Sequence, residues 1–179
     1  MTETKELEAC IARVATGDQT AFAELYDKCS RAVFSYAVSV LHAPDKADDV
    51  VQEAFLKIWR AAPSYTPCGK PMAWVMRITR NLCLDELRRV PAEPLEEAAE
   101  RADPTDNGAQ VVDREYVRAL LNGELTDEER DIVRLRIYAD LPHNEIAEAM
   151  GLSTAAVRWK YTYALKKLRR RCLADERAV

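Results

Sequence analysis

Apolar side chains recur at steps of three and four along almost the whole chain, and this pattern constrains the fold more than any other feature. Leu7, Ile11 and Val14 begin the series, and Phe22, Leu25, Tyr26, Cys29 and Val33 continue it. Such steps place side chains on one stripe of an α-helix, whereas a half-buried strand needs strict alternation. Only 5 glycines and 8 prolines are spread over 179 residues. That is too little turn material for a sandwich or barrel that reverses every ten residues or so. The expected fold class is all-α.

The helix ends can be read from their punctuation. Gly17 closes a first helix, and Asp18 is placed to cap a second through its carboxylate. Pro44 opens a third helix that runs through Ala62, at a position where the missing amide costs nothing. Residues 62 to 71, APSYTPCGKP, hold three prolines and a glycine and read as a loop. A fourth helix follows from Pro71 to Arg89. Residues 90 to 110 combine three prolines with six acidic groups and almost no large apolar side chain. Such a segment buries too little surface to offset its ordering entropy, so it reads as a flexible tether. Helical spacing resumes over Val111 to Leu121, Thr126 to Tyr138, Pro142 to Met150 and Ser153 to about Leu173. Thr126 with Glu129 forms a capping box. The expected organisation is therefore two small helical bundles, residues 1–90 and 111–179, joined by an acidic linker over 91–110.

Charge follows the same division. The net charge of −4 argues against a protein that coats DNA indiscriminately. Residues 91 to 115 carry 2 basic and 8 acidic groups, while no acid at all lies between Ala149 and Ala174. Arg158, Lys160, Lys166, Lys167, Arg169, Arg170 and Arg171 lie in that acid-free stretch. An acidic middle thus precedes a strongly basic end.

Several function classes are disfavoured. The 5 cysteines, Cys10, Cys29, Cys68, Cys83 and Cys172, include no C-x-x-C pair and read as idle thiols in a reducing compartment. MTETKELEAC has neither a basic start nor an apolar run, and no stretch approaches the ~18 apolar residues of a membrane span. A cytoplasmic protein is expected. His42 and His143 are the only histidines, and neither a glycine-rich phosphate loop nor a nucleophile and base pairing can be read. No enzymatic activity, cofactor or metal is expected.

The segment LPHNEIAEAMGLSTAAVRWKYTYALKKLRRR carries the most specific signal. A short helix, a turn at Gly151 and Leu152 and a second helix capped by Ser153 make a helix-turn-helix. Ala147 is small where the helices cross, Gly151 can adopt the left-handed turn conformation, and Val157 plugs the small core. Val157, Tyr161, Ala164 and Leu168 share an inward stripe. Arg158, Trp159, Thr162 and Tyr163 then face outward or sideways, where a recognition helix meets base edges. A helical hairpin with a solvated basic tail is the plainer alternative, and Trp159 could equally pack on the preceding helix.

Taken together, the two halves resemble a bacterial RNA polymerase sigma factor of the extracytoplasmic-function type, within the sigma-70 family. AFAELYDKCSRAVFSYAVSVL resembles the family's opening region. DKADDVVQEAFLKIWRAAPSY is similar to its polymerase-binding helix, with Asp49, Gln52, Glu53, Phe55 and Trp59 in place. PMAWVMRITRNLCLDELRR resembles the promoter-melting and minus-10-reading helix, and LTDEERDIVRLRIYADLPHNEIAEAMGLSTAAVRWKYTYALKKLRR the minus-35 reader. The blocks stand in the family's order over residues 18 to 90 and 111 to 171. Four positions depart from the pattern: Pro142 stands where a serine or threonine cap is common, and Trp159, Tyr161 and Tyr163 replace smaller or basic residues.

The resemblance implies a sigma-2-like domain, a linker and a sigma-4-like domain, with core RNA polymerase and double-stranded promoter DNA as partners. Core polymerase would be held by Asp49, Gln52, Glu53 and Phe55 against the clamp helices of the largest subunit. The C-terminal bundle would sit on the flap of the second-largest subunit. The minus-10 element would be read and melted by Tyr65, Lys70, Arg77, Arg80, Asn81 and Arg88. The minus-35 element would meet Ser153, Thr154, Arg158, Trp159, Lys160, Thr162 and Tyr163. Many members of this family are held inactive by an anti-sigma factor, so such a partner is implied by analogy. From the residues alone, a stand-alone helix-turn-helix regulator binding an operator as a dimer is the alternative.

Overall fold

Local chemistry sets each helix before packing joins them. The computed structural model describes residues 2–89, 117 and 119–176, and among these no strand occurs. The acidic linker over 91–110 and the start of the helix read from Val111 lie outside the described residues.

Helix α1 (Thr2–Val14) buries Leu7, Cys10, Ile11 and Val14 along one stripe. It stops where Gly17 takes a φ of +88°, and Asp18 then caps α2 (Gln19–Leu41) by accepting from the Ala21 amide at 3.0 Å. The same carboxylate meets Arg13 at 2.8 Å, which ties the two helices at their corner. Helix α2 is the spine of the bundle and buries Ala21, Leu25, Cys29, Val33, Tyr36, Ala37 and Val40. His42 turns the chain in the left-handed conformation, and Pro44 opens α3 (Pro44–Ala61). A single 3-10 turn, Ala62–Ser64, follows, so the loop expected from residue 62 begins with a tight turn. Helix α4 (Pro71–Arg89) then packs on both α2 and α3.

In the C-terminal half a short helix, α5 (119–124), leads to α6 (Asp127–Tyr138). The Thr126 and Glu129 capping box is formed, with bonds of 3.3 and 3.0 Å. Asp140 reverses the chain at a φ of +47°, pinned by Arg136, which donates to its carbonyl, to its carboxylate and to the Leu141 carbonyl. Helix α7 (His143–Met150) follows Pro142, which sits at the cap rather than in the first turn. The Pro142 carbonyl accepts from the Glu145 and Ile146 amides, so the helix starts with no side-chain cap. Gly151 ends α7 at a φ of +69°, and the Gly151 and Leu152 amides both close on the Ala147 carbonyl. Ser153 caps α8 (Thr154–Glu176) by accepting from the Ala156 amide at 3.1 Å.

The two bundles do not stand apart. Ile132, Leu135, Leu141, Ile146, Ala147, Ala149 and Val157 of the C-terminal half belong to the same core cluster as α1 to α4. A smaller cluster, Leu121, Leu125, Val133 and Ala164, is sealed by Tyr161 and Leu168. The junction is made chiefly by α4 against α7 and α2 against α6. Of the five cysteines, Cys10, Cys29 and Cys83 are buried. Burial pushes the thiols of Cys29 and Cys83 up to about 12, so they stay protonated and inert.

Candidate nucleic-acid interface

Helix α4 presents its polar residues on the side away from Val75, Met76, Leu82 and Cys83. Arg77 and Arg80 lie one turn apart on that side, with Arg88 further along; Asn81 and Arg88 are exposed. The loop before α4 is held from two directions. Tyr65 packs on Trp74 with ring centroids 4.9 Å apart, and its hydroxyl donates to Glu8 of α1 at 3.4 Å. Glu8 also accepts from the Gly69 amide at 2.7 Å. Burial pushes the Tyr65 phenol up, so the ring is a neutral, half-buried wedge between α1 and α4.

Three of the cationic groups on this side are already engaged by carboxylates of the C-terminal bundle. Arg77 meets the Glu148 carboxylate at 2.6 Å and also donates to the Glu148 carbonyl, at the C-terminal end of α7 where helix dipoles favour a cation. Lys70 lies 3.6 Å from the same carboxylate. Arg80 donates to Asp131 at 2.9 Å. The hydrogen bond from Arg77, with the charges of Arg77 and Lys70, holds the Glu148 carboxyl below its ordinary range. Protein carboxylates thus already engage Lys70, Arg77 and Arg80.

Helix α8 is set differently. Val157 and Ala164 are fully buried, Tyr161 and Leu168 partly so, and Tyr161 packs on His143 with centroids 5.0 Å apart. Arg158, Trp159, Thr162 and Tyr163 are exposed, and Thr154 lies at the helix start beside the capping Ser153. Trp159 does not pack on the preceding helix: it is 64% exposed and stacks on Tyr163. Lys160 points back to α6, where it meets Glu128 at 2.6 Å. Lys167 is drawn the same way to Glu129, at 2.7 Å. Burial pushes the Glu129 carboxyl up, but the bonds from Lys167 and Thr126 outweigh it and bring it below its ordinary range.

A third surface lies on α3. Asp49 and Gln52 are exposed, and Glu53 pairs with Lys57 at 3.2 Å. Phe55 is buried beneath Tyr26, with centroids 4.6 Å apart, and beside Phe22. It supports this surface from behind, and the apolar group in reach of a partner is its neighbour Leu56, 55% exposed. Sequence periodicity alone could have flagged Leu56, which falls off the buried stripe of α3. Nothing local in the sequence pointed to Glu148 or Asp131.

Among the described residues no helix is long and apolar enough to cross a membrane, and no group of His, Cys, Asp or Glu side chains is gathered to hold a metal ion.

Comparison with known proteins meets this geometry from another direction. A family model described as Sigma-70 region 2 matches residues 25–90, and one described as Sigma-70, region 4 matches residues 123–170. The ECF RNA polymerase sigma factor SigK of Mycobacterium sp. (strain KMS) is 29% identical over 175 residues, covering 93% of this chain and 90% of its own. SigK of Mycolicibacterium vanbaalenii is 28% identical over 179 residues, covering 95% and 90%. Among solved structures, CnrH in complex with the cytosolic domain of CnrY is similar over 95% of this chain and 99% of its own, at 26% identity and a TM-score of 0.74. The sigma factor RpoE in complex with the anti-sigma factor NepR, from Bartonella quintana, shares the fold over 83% of this chain and 94% of its own, at 20% identity and a TM-score of 0.65.

Proposed function

Because this chain belongs to the sigma-70 family, as an RNA polymerase sigma factor of the extracytoplasmic-function type, we propose that its three surfaces divide the work of promoter-specific initiation. Residues 1–90 form the sigma-2-like domain, 91–110 the linker and 111–179 the sigma-4-like domain. Core polymerase docks on α3 through Asp49, Gln52 and Glu53, with Leu56 as the apolar anchor and Phe55 as its support. Exposed carboxylate and amide groups beside one apolar side chain suit a basic docking surface on the partner.

Tyr65, Lys70, Arg77, Arg80, Asn81 and Arg88 read and help to open the minus-10 element. Opening costs a few kcal/mol per unstacked step, and a shaped, cationic surface offsets it by trapping an extruded base and its phosphates. Ser153, Thr154, Arg158, Trp159, Thr162 and Tyr163 face the minus-35 element in the major groove. Lys160 joins them once it exchanges Glu128 for a phosphate. As an initiation factor the protein needs no catalytic group, and none is assigned; it acts where polymerase is, in the cytoplasm.

The observation that carries this reading is the pairing of Lys70, Arg77 and Arg80 with Glu148 and Asp131. Every one of those cations is a minus-10 candidate, and every partner lies on the minus-35-reading half. The closed arrangement is therefore a resting state, and the bundles must part before α4 can meet DNA. A protein partner that grips the closed arrangement would hold the factor inactive, and the sigma factor RpoE, solved in complex with the anti-sigma factor NepR, supports a partner of that class here.

Run-off transcription with purified core polymerase, with and without the protein, on the DNA upstream of its own gene tests the reading. A protein-dependent transcript from one start site is expected. A DNA shift by the protein alone, with no transcript, would overturn it in favour of an operator-binding regulator.

A further inference from the structure

Trp159 and Tyr163 form the most exposed aromatic pair among the described residues, and their arrangement is ordered. Their rings are nearly parallel, 6° apart, with centroids 5.4 Å apart. Lys167 Nζ lies 4.8 Å from the Tyr163 centroid, and Glu129 fixes that ammonium from below. Indole, phenol and ammonium thus stack in one file along α8, anchored to α6 at its far end. Nothing described covers the indole, although an exposed aromatic pair on a soluble protein is the kind of patch that marks a binding surface.

We propose, resting on the minus-35 assignment above, that this stack reads the 5-methyl groups of thymines in the major groove. Charge selects DNA over a protein as the occupant. Arg158, Lys166, Arg169 and Arg170 flank the pair, carry no ion pair among the described residues, and no acid lies between Ala149 and Ala174. Chemistry selects the thymine methyl over the other base features. Bidentate reading of guanine takes Arg or Lys, and of adenine Asn or Gln, whereas the ring carbons at the open edges of this stack offer only apolar contact, for which the thymine methyl is the major-groove partner. Spacing selects two positions with one base between them. Residues 159 and 163 are separated by about 6 Å along the helix axis, roughly two steps of the ~3.4 Å rise of a DNA strand. The file from Tyr163 to Lys167 and Glu129 holds the pair in place beforehand, so little side-chain freedom is lost on binding.

The test uses the holoenzyme and the promoter found by run-off transcription. Each thymine of the upstream element is replaced singly by deoxyuridine, which removes the methyl and nothing else. Replacement at one position, or at either of two positions two steps apart, should lower transcript yield at limiting holoenzyme about three- to tenfold, the size expected for one lost methyl contact. Trp159→Ala, a change at an exposed position, should lower yield on the thymine promoter and bring the thymine to uracil ratio to about one. Full transcription from every uracil promoter would overturn the methyl assignment and leave the sigma reading standing. Unchanged discrimination by Trp159→Ala would overturn the assignment to this stack and give the methyl to another side chain, and loss of core assembly in that variant would overturn it in favour of a protein partner. Absence of any transcript from the thymine promoter would instead remove the sigma premise, and the inference with it.

Discussion

Arg80 of α4 and Asp131 of α6 meet at 2.9 Å across the junction of the two bundles, with the carboxylate buried and the guanidinium largely so. The Tyr36 hydroxyl donates weakly to the other carboxylate oxygen at 3.5 Å, and Arg134 lies 3.9 Å from it. Burial pushes the Asp131 carboxyl above its ordinary range despite Arg80 and Arg134, and burial likewise draws the Arg134 guanidinium down. Desolvation therefore consumes much of the attraction. The pair specifies how the bundles fit more than it drives them together.

Removing one member exposes that asymmetry. Arg80→Ala leaves Asp131 buried with only Arg134 and Tyr36 as partners and should cost the closed form about 1–3 kcal/mol. A label on α1 and another on the end of α8 would report it as a larger distance in the free protein.

Glu148 makes the junction sensitive to acid. Its carboxyl is held below the ordinary value of 4.5, first by the Arg77 hydrogen bond. Its contribution to closure is therefore complete above 4.5 and is lost as pH falls through the depressed value. Both of its ion pairs are partly exposed, so together they amount to about 1 kcal/mol, near a fivefold shift. Glu148→Gln should open the bundles by that factor at pH 7 and remove this part of the acid response, read by the same pair of labels.

The C-terminal bundle has its own acid-labile group. Glu129 closes the capping box of α6 and receives Lys167, and its carboxyl lies below its ordinary value. That stability is present above 4.5 and fades as the carboxyl protonates below it. Glu129→Ala should cost about 2–3 kcal/mol, and thermal melts at pH 7 and pH 4 should show the wild-type advantage shrinking with acid.

Gly151 tests the turn. Its φ is +69° and no heavy atom lies within 4 Å of where a Cβ would stand, so Gly151→Ala meets backbone strain and no clash. A loss of about 1–2 kcal/mol is expected, with a lower melting midpoint and weaker promoter use.

Docking and reading should separate by mutation. Asp49→Arg should reduce recovery of core polymerase in a pull-down about tenfold or more. Arg158→Ala should leave recovery unchanged and cost about 1–3 kcal/mol of promoter binding. Equal losses of assembly and promoter use in Arg158→Ala would count against its place in the groove.

The helices, their caps and the helix-turn-helix are legible in the sequence because each depends on residues within one or two turns. Asp18 and Ala21, Thr126 and Glu129, and Ser153 and Ala156 are all three positions apart, and a backbone amide fixes the geometry. The outward set on α8 is legible for the same reason, since Val157 and Ala164 mark the inner stripe. Phe55 reads in sequence as a contact residue, but its role behind the surface depends on Phe22 and Tyr26 from another helix.

Tertiary structure alone decided whom the α4 cations meet. Glu148 is 71 residues from Arg77, Asp131 is 51 from Arg80, and Tyr36 is 95 from Asp131. Coulomb attraction has no sequence period and every acid in the chain is a candidate partner, so the choice falls to the apolar contacts that seat α7 on α4 and α6 on α2. Residue spacing determined two helical bundles and a helix-turn-helix; packing between them determined that the two bundles rest against each other, with the α4 cations held by carboxylates of α7 and α6.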